Sequence, residues 1–140
     1  MLYKFKGYAY AHKESPKCIT VPSDWNGGIH SFKTPLTVIK YKDSSYEKVE
    51  SWGFPALTEK PNKKKKKNSS SSTSTPIAEL FKLHLLKEYE KPFLPKRLGF
   101  KKAITDYLRE LGEHLKETLK SHWELLDFYK NVLIVFTVRI

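Results

Sequence analysis

Cysteine and methionine are scarce in this sequence, with one residue of each among 140. Because Cys18 is the only thiol, an intramolecular disulfide is excluded and the disulfide-rich class of small secreted domains is excluded with it. The same scarcity favours a reducing compartment over an oxidising one.

Long hydrophobic runs are lacking as well. The longest apolar run, residues 132–136, is far shorter than the ~20 apolar residues that span a bilayer. Residues 1–10 alternate Lys with aromatic residues and contain no apolar core of the length that a signal peptide requires. We therefore expect a cytoplasmic protein with no membrane partner.

The sequence contains none of the short motifs that identify common catalytic or metal sites. No His stands at metal-ligand spacing with a Cys or a second His, since His114 and His122 lie ~12 Å apart along a helix. There is no nucleophile elbow and no Walker-type glycine loop, and Asn-Gly-Gly at 26–28 indicates only a turn. We predict no metal ligands, and the residues alone leave the function open.

What the sequence does have is positive charge, with a net charge of +11, and five lysines stand together at 63–67. They belong to a low-complexity Lys/Ser-rich segment, residues 59–75, which we predict to be a disordered loop because like charges repel and Ser and Thr build no core. A targeting signal and a nucleic-acid contact are the alternatives. The hydrophobic content of 39% indicates a folded domain around this loop.

The first half of the chain has the pattern of short strands. Four segments rich in β-branched and aromatic residues are separated by turn formers: residues 8–11, 18–21, 36–41 and 46–52. Their spacing predicts an antiparallel meander. Tyr8 and Tyr10, with Tyr3 and Phe5, would suit a nucleic-acid stacking surface, but their alternation favours packing on a sheet.

The second half has a helical period. Thr75 and Pro76 indicate a helix start, and the prolines at 92 and 95 end that helix. A second helix follows, with a core-facing stripe at Phe100, Ile104, Tyr107, Leu108, Leu111, Leu115 and Leu119. The apolar run 132–138 predicts a strand buried on both faces, so the fold class is α/β.

Several segments, taken in order, resemble one protein family. They are residues 7–12 (Gly-Tyr-Ala-Tyr-Ala-His), 32–41 (Phe-Lys-Thr-Pro and the strand after it), 52–57 (Trp-Gly-Phe-Pro-Ala-Leu), 79–83 (Glu-Leu-Phe-Lys-Leu), 101–108 (Lys-Lys-Ala-Ile-Thr-Asp-Tyr-Leu) and 132–138. Their order and spacing are similar to those of the actin-like ATPase domain in divergent relatives of the 70-kilodalton heat-shock chaperones. Residues 90–98 have no counterpart there.

The resemblance implies a fold for residues 1–140. It would be a partial ribonuclease-H-like or actin-like ATPase subdomain, a mixed sheet with an antiparallel meander, two helices and a buried C-terminal strand. Residues 79–83 are similar to the stretch that bears a phosphate-contacting lysine. The resemblance therefore makes Lys82 the candidate catalytic residue, against the alternative that it is an ordinary surface charge on a helix.

The departures from the family matter for activity. The family's nucleotide, ATP or ADP with magnesium, is held by an aspartate-x-glycine-threonine-threonine loop that has no counterpart here, and Arg139 stands where the family has proline. The resemblance thus implies a chaperone-like ATPase domain truncated at both ends, which binds no nucleotide and does not catalyse by itself. The alternative is a basic nucleic-acid-binding or protein-interaction module. For an interaction fragment the expected partner is a full-length relative or another protein, and nucleic acid is the less favoured partner.

Overall fold

A computed structural model describes residues 7–22, 25, 37–58, 76–86 and 90–136. The elements within them are strand β1 (Val38–Tyr41), strand β2 (Val49–Trp52), helix α1 (Pro55–Thr58), strand β3 (Ile77–Glu79), a 3-10 helix (Phe81–Leu85), helix α2 (Phe100–His122) and helix α3 (Phe128–Asn131). The expected mixed α/β class is confirmed. The predicted loop 59–75 lies outside the described residues.

The sheet has three strands in the order β2-β1-β3, and both pairings are antiparallel. In the centre, β1 pairs Ile39 with Trp52 of β2 on one side and with Ala78 of β3 on the other. All four residues of β1 are buried, as expected of a β-branched strand with neighbours on both sides. The prediction of a mixed sheet is therefore wrong for the described strands, which contain no parallel pair.

The predicted meander is only partly present, because β3 joins the far side of β1 instead of continuing from β2. The strands expected at 36–41 and 46–52 are confirmed as β1 and β2. Those expected at 8–11 and 18–21 meet only at an isolated bridge, with Tyr10 and Thr20 exchanging two backbone hydrogen bonds of 2.8 and 3.0 Å. Residues 11–20 are exposed throughout, so nothing packs them into a longer ladder.

Helix α2 is 23 residues long and confirms the clearest sequence prediction. Ala103, Asp106 and Tyr107 are buried against the sheet. Leu119 is buried near the C-terminal end of the helix. Leu108 departs from the predicted stripe, because 48% of it is exposed. The helix therefore packs through a narrower stripe than its leucines indicate.

The helix predicted after Pro76 is wrong. Ile77–Glu79 form strand β3, and Leu80 then takes a left-handed conformation with φ of 52° that ends the strand. The 3-10 helix that follows places Phe81 fully inside the core. Pairing with β1 overrides the local helical spacing here. The backbone N–H and C=O groups along the free edge of β1 gain hydrogen-bond partners only if residues 77–79 are extended.

The buried C-terminal strand is also a wrong prediction for the residues described. Residues 132–136 belong to no strand, and Leu133, Val135 and Phe136 are 75–90% exposed. A continuous apolar run is buried only where strands and helices cover both of its faces. None of the described strands pairs with this segment.

The core lies between the sheet and α2. Its buried members are Ile39, Tyr41, Tyr46, Ala78, Phe81, Leu98, Ala103 and Tyr107. Aromatic edges make many of the contacts, with Trp52 against Tyr107 at 5.7 Å between ring centroids and Tyr41 against Tyr46 at 5.3 Å. None of the described helices is long and apolar enough to cross a membrane.

Candidate functional site

Lys82, the lysine singled out by the resemblance, lies in the 3-10 helix and is half-buried. The preceding Phe81 is in the core, and His84 contacts the Pro92 carbonyl oxygen at 2.9 Å and stacks on Phe100. Lys82 lines neither of the two cavities described below. Across the described ranges, no three His, Cys, Asp or Glu side chains come together as a metal site.

Asp106 is the most highly connected ionisable side chain at the interface between sheet and helix. It is 2% exposed, and Oδ2 accepts hydrogen bonds of 2.9 Å from the Tyr41 hydroxyl and from Lys102 Nζ. Oδ1 accepts a third, also 2.9 Å long, from Arg109 Nη1. Spacings of three and four residues place both cations on the same helical face as the carboxylate. The carboxylate thereby links β1 to α2.

The surroundings of Asp106 favour its charged form. Burial raises the pKa of this carboxyl, but the hydrogen bonds from Lys102 and Tyr41 and the positive charge of Lys102 outweigh burial and lower the pKa overall. Burial and the bond to Asp106 raise the pKa of Tyr41, which therefore stays a hydrogen-bond donor. All three oxygen contacts are made within the protein, so this cluster is structural and offers no open position for a ligand.

A cavity of about 230 Å³ lies between the β2–α1 turn and the middle of α2. We call it the Trp–Glu cavity; its lining residues are Trp25, Ser51, Trp52, Gly53, Phe54, Pro55, Glu110, Glu113, His114 and Glu117. A second cavity, of about 220 Å³, lies near α3 and is lined by Lys116, Lys120, Leu126, Asp127, Phe128 and Tyr129.

Three aromatic rings form one wall of the Trp–Glu cavity. The ring centroids of Trp25 and His114 are 5.1 Å apart, and those of Trp52 and His114 are 5.9 Å apart. Trp25 meets Trp52 edge-on at 6.4 Å. Trp52 is held from behind by Tyr107 of the core, so the wall is fixed by the packing of the domain.

Three carboxylates of α2 form a carboxylate wall of the same cavity. Glu110, Glu113 and Glu117 follow one another at spacings of three and four, which places them on one face of α2. Partial burial raises the pKa of Glu110, and the charges of Asp106 and Glu113 raise it further while Arg109 opposes them. Glu113 has a cation nearby, since Lys116 Nζ lies 3.6 Å from its Oε2. Negative charge is therefore concentrated beside the rings.

His114 comes from the same helix as the carboxylates, and its ring contacts both tryptophans. Burial lowers its pKa, and the charge of Glu117 only partly offsets this. The imidazole is consequently neutral near pH 7 and adds no positive charge to the cavity.

The tyrosines of the N-terminal segment pack on α2 and not on the sheet. Tyr8 donates a 2.9 Å hydrogen bond to Thr118 Oγ1, and its ring meets Trp25 at 5.7 Å. Tyr10 contacts the rings of His122 and Trp123 at 5.6 and 5.9 Å. The predicted sheet packing of these two residues is therefore wrong, while Tyr3 and Phe5 lie outside the described residues.

Sequence reasoning missed the Trp–Glu cavity. The sequence analysis placed none of Trp25, Trp52, His114 and the three glutamates in a common site. The only local signal was the run of three acids around one His on a single helix. Trp52 and Trp25 precede His114 by 62 and 89 positions, and only the fold brings them to this helix.

Scans of the chain against protein-family models, curated proteins and solved structures each found no match.

Proposed function

We propose that this chain forms part of an actin-like ATPase domain of the 70-kilodalton heat-shock chaperone type, and that it acts as a folded scaffold without hydrolysing ATP by itself. The main support is a contact between two segments that resemble the family, residues 52–57 and 101–108. Trp52 of the first meets Tyr107 of the second at 5.7 Å, in one core. Segments that match in order along the sequence are thus also adjacent in space.

The β2–α1 turn gives further support. Gly53 has φ of 68°, a left-handed conformation that glycine adopts without steric penalty, and its N–H donates a 2.9 Å hydrogen bond to the Val38 carbonyl oxygen. Ala56 follows in α1 and is 1% exposed. The glycine and the later alanine resemble the family's pattern, and each has a steric reason at its position.

The described residues do not fit a magnesium nucleotide. Phosphoryl transfer requires a metal ion and a set of donors placed around the phosphates. Across the described ranges no three His, Cys, Asp or Glu side chains come together as a metal site. The sequence has no aspartate-x-glycine-threonine-threonine loop. We derive no catalytic step through ATP.

Magnesium-dependent ATP hydrolysis by the purified chain tests this proposal. We expect phosphate release at the rate of buffer alone, with Lys82→Ala and the matched surface variant Lys91→Ala unchanged from it. Turnover above background that is lost in Lys82→Ala and kept in Lys91→Ala would show that the lysine retains the family role, and would overturn the scaffold proposal.

The alternative function is a basic binding module that uses the five lysines at 63–67, which lie outside the described residues. Such a module would bind RNA or DNA with an affinity that falls steeply as salt is added. Replacement of all five lysines by Ser would then weaken binding and flatten the salt dependence. If nucleic acid binds equally well to both forms, the lysines do not carry this function.

A further inference from the structure

We infer that the Trp–Glu cavity is a binding site for an alkylammonium group, either methylated or primary. This inference rests on the cavity alone and stands apart from the ATPase-domain proposal. Its volume of about 230 Å³ exceeds what a small amine head group needs. Aromatic rings and carboxylates that line one cavity are the chemistry that recognises organic cations.

The rings supply the attraction for the charge. Aromatic faces carry negative electrostatic potential, and tryptophan gives the strongest attraction for a cation within about 6 Å of its centroid. The cavity has two tryptophans, Trp25 and Trp52, beside the neutral ring of His114. Tyr107 and His114 pack against Trp52 and fix the position of its ring before a ligand enters.

The carboxylates select for positive charge. Glu110 is partly buried between Asp106 and Glu113, and the repulsion among these acids is relieved when a cation enters. Lys116 already lies near Glu113, but Glu110 and Glu117 have no ion pair among those found in the described part of the chain. A neutral molecule of the same shape would leave that repulsion in place.

Two buried polar atoms belong to residues of the cavity wall and have no hydrogen-bond partner in the structure. They are Nε1 of Trp25 and Oγ of Ser51, and Trp25 is only 6% exposed. Buried polar atoms are normally satisfied, so unpaired ones next to a cavity indicate a missing partner.

Choline is a suitable probe, because 3,3-dimethyl-1-butanol has the same shape without the charge. We expect choline to shift the NMR indole N–H signals of Trp25 and Trp52 saturably at constant ionic strength, while Trp123, outside the cavity, stays unmoved. The uncharged alcohol should bind at least about tenfold more weakly, given the strength of cation–aromatic attraction. Equal binding of the alcohol, or stationary signals of Trp25 and Trp52, would overturn the inference.

Charge-neutralising variants test the carboxylate wall. The double replacement of Glu110 and Glu117 by Gln should raise the dissociation constant for choline about fivefold, because each carboxylate contributes a partly screened attraction. Glu124→Gln, which removes an equally negative but exposed side chain outside the cavity, should leave it unchanged. Circular dichroism must show the same helix content in all forms. Unchanged affinity in the folded double variant would contradict the assignment.

The ammonium group could come from a separate molecule or from the lysines of the chain itself. A variant with Ser at all of residues 63–67 distinguishes the two sources. Tighter choline binding by this variant would identify the chain's own lysines as competitors for the cavity, and unchanged binding would assign the cavity to a separate ligand. Both results support recognition of ammonium, whereas absence of choline binding in both forms refutes it.

Discussion

At the scale of single residues, Asp106 differs from the other carboxylates of α2 because its oxygens accept three hydrogen bonds inside the protein. One donor, Tyr41, comes from the central strand, while Lys102 and Arg109 come from the helix itself and stay partly exposed. Glu110, only four residues further on, faces the Trp–Glu cavity and gains no such donors. One turn of helix thus separates a structural carboxylate from a candidate binding carboxylate.

Asp106→Asn should destabilise the fold by about 1–3 kcal/mol, since a buried network loses its charge and leaves polar groups imperfectly paired. The exposure of Lys102 and Arg109 limits the loss, because both cations can be rehydrated. Tyr41→Phe should cost about 1 kcal/mol for its single hydrogen bond. Urea unfolding measures both, with the exposed Glu90→Gln as the control. Asparagine at 106 without any loss of stability would contradict the network.

Acid should weaken the contribution of Asp106. Its pKa in the folded state is lowered from an unfolded value of about 3.9, so its stabilisation is present above that pH and is lost as the pH falls through the folded pKa. The stability difference between wild type and Asp106→Asn should therefore shrink from pH 7 to pH 3. The contribution of Glu110 to stability has the opposite pH dependence, because its pKa is raised. Glu110→Gln should therefore not destabilise the protein at pH 7. A difference that grows in acid would show that the carboxylate is not stabilised by its donors.

At the scale of elements, sequence and structure agree best on α2. Its apolar spacing continues over many turns, and a long amphipathic period determines a helix almost regardless of its surroundings. The segment 77–85 shows the limit of the same reasoning. Ile77 and Phe81 also fit a helical face, but three residues here gain more from pairing with β1 than from one helical turn.

Leu119 and Leu108 distinguish the buried face of α2 predicted from the sequence from the one in the structure. Leu119 is 5% exposed, and Leu119→Ala should cost about 2–4 kcal/mol through lost burial and a cavity. Leu108 is 48% exposed, so Leu108→Ala should cost less than about 1 kcal/mol. Both variants have the same chemistry in the same helix, and thermal unfolding compares them directly. Equal losses would mean that the helix faces the sheet along the stripe predicted from the sequence.

The wrong prediction for the apolar run at 132–136 and the failure to predict the Trp–Glu cavity have the same physical reason. Burial of a strand and assembly of a site both depend on contacts between segments far apart in sequence, and no local period encodes them. Trp25 and His114 are 89 positions apart, yet their rings are 5.1 Å apart. The candidate site could therefore be recognised only once the fold was known.

At the scale of the whole molecule, the segment that follows α3 exposes several large apolar side chains in succession within the described part of the chain. Leu133, Val135 and Phe136 are 90%, 75% and 80% exposed, and Leu125 and Tyr129 lie exposed just before them. Exposed apolar patches of this kind are typical of surfaces that contact other proteins.

We expect the protein to self-associate in a concentration-dependent way through this segment. Replacing Leu133 and Val135 by Lys should shift sedimentation towards the monomer, because charged side chains remove apolar surface that is available for contact. Leu57→Lys, at a partly exposed position of α1, provides the matched control. A monomer at high concentration before any substitution would contradict a role for the segment in association.

The most direct test of the scaffold proposal is thermal unfolding with and without millimolar magnesium-ADP. A ligand that binds only the folded state raises the midpoint temperature, by an amount that follows from its concentration relative to its dissociation constant. The proposal predicts the same midpoint in both samples. A rise of several degrees that disappears in Lys82→Ala would contradict it and would show that the chain holds a nucleotide.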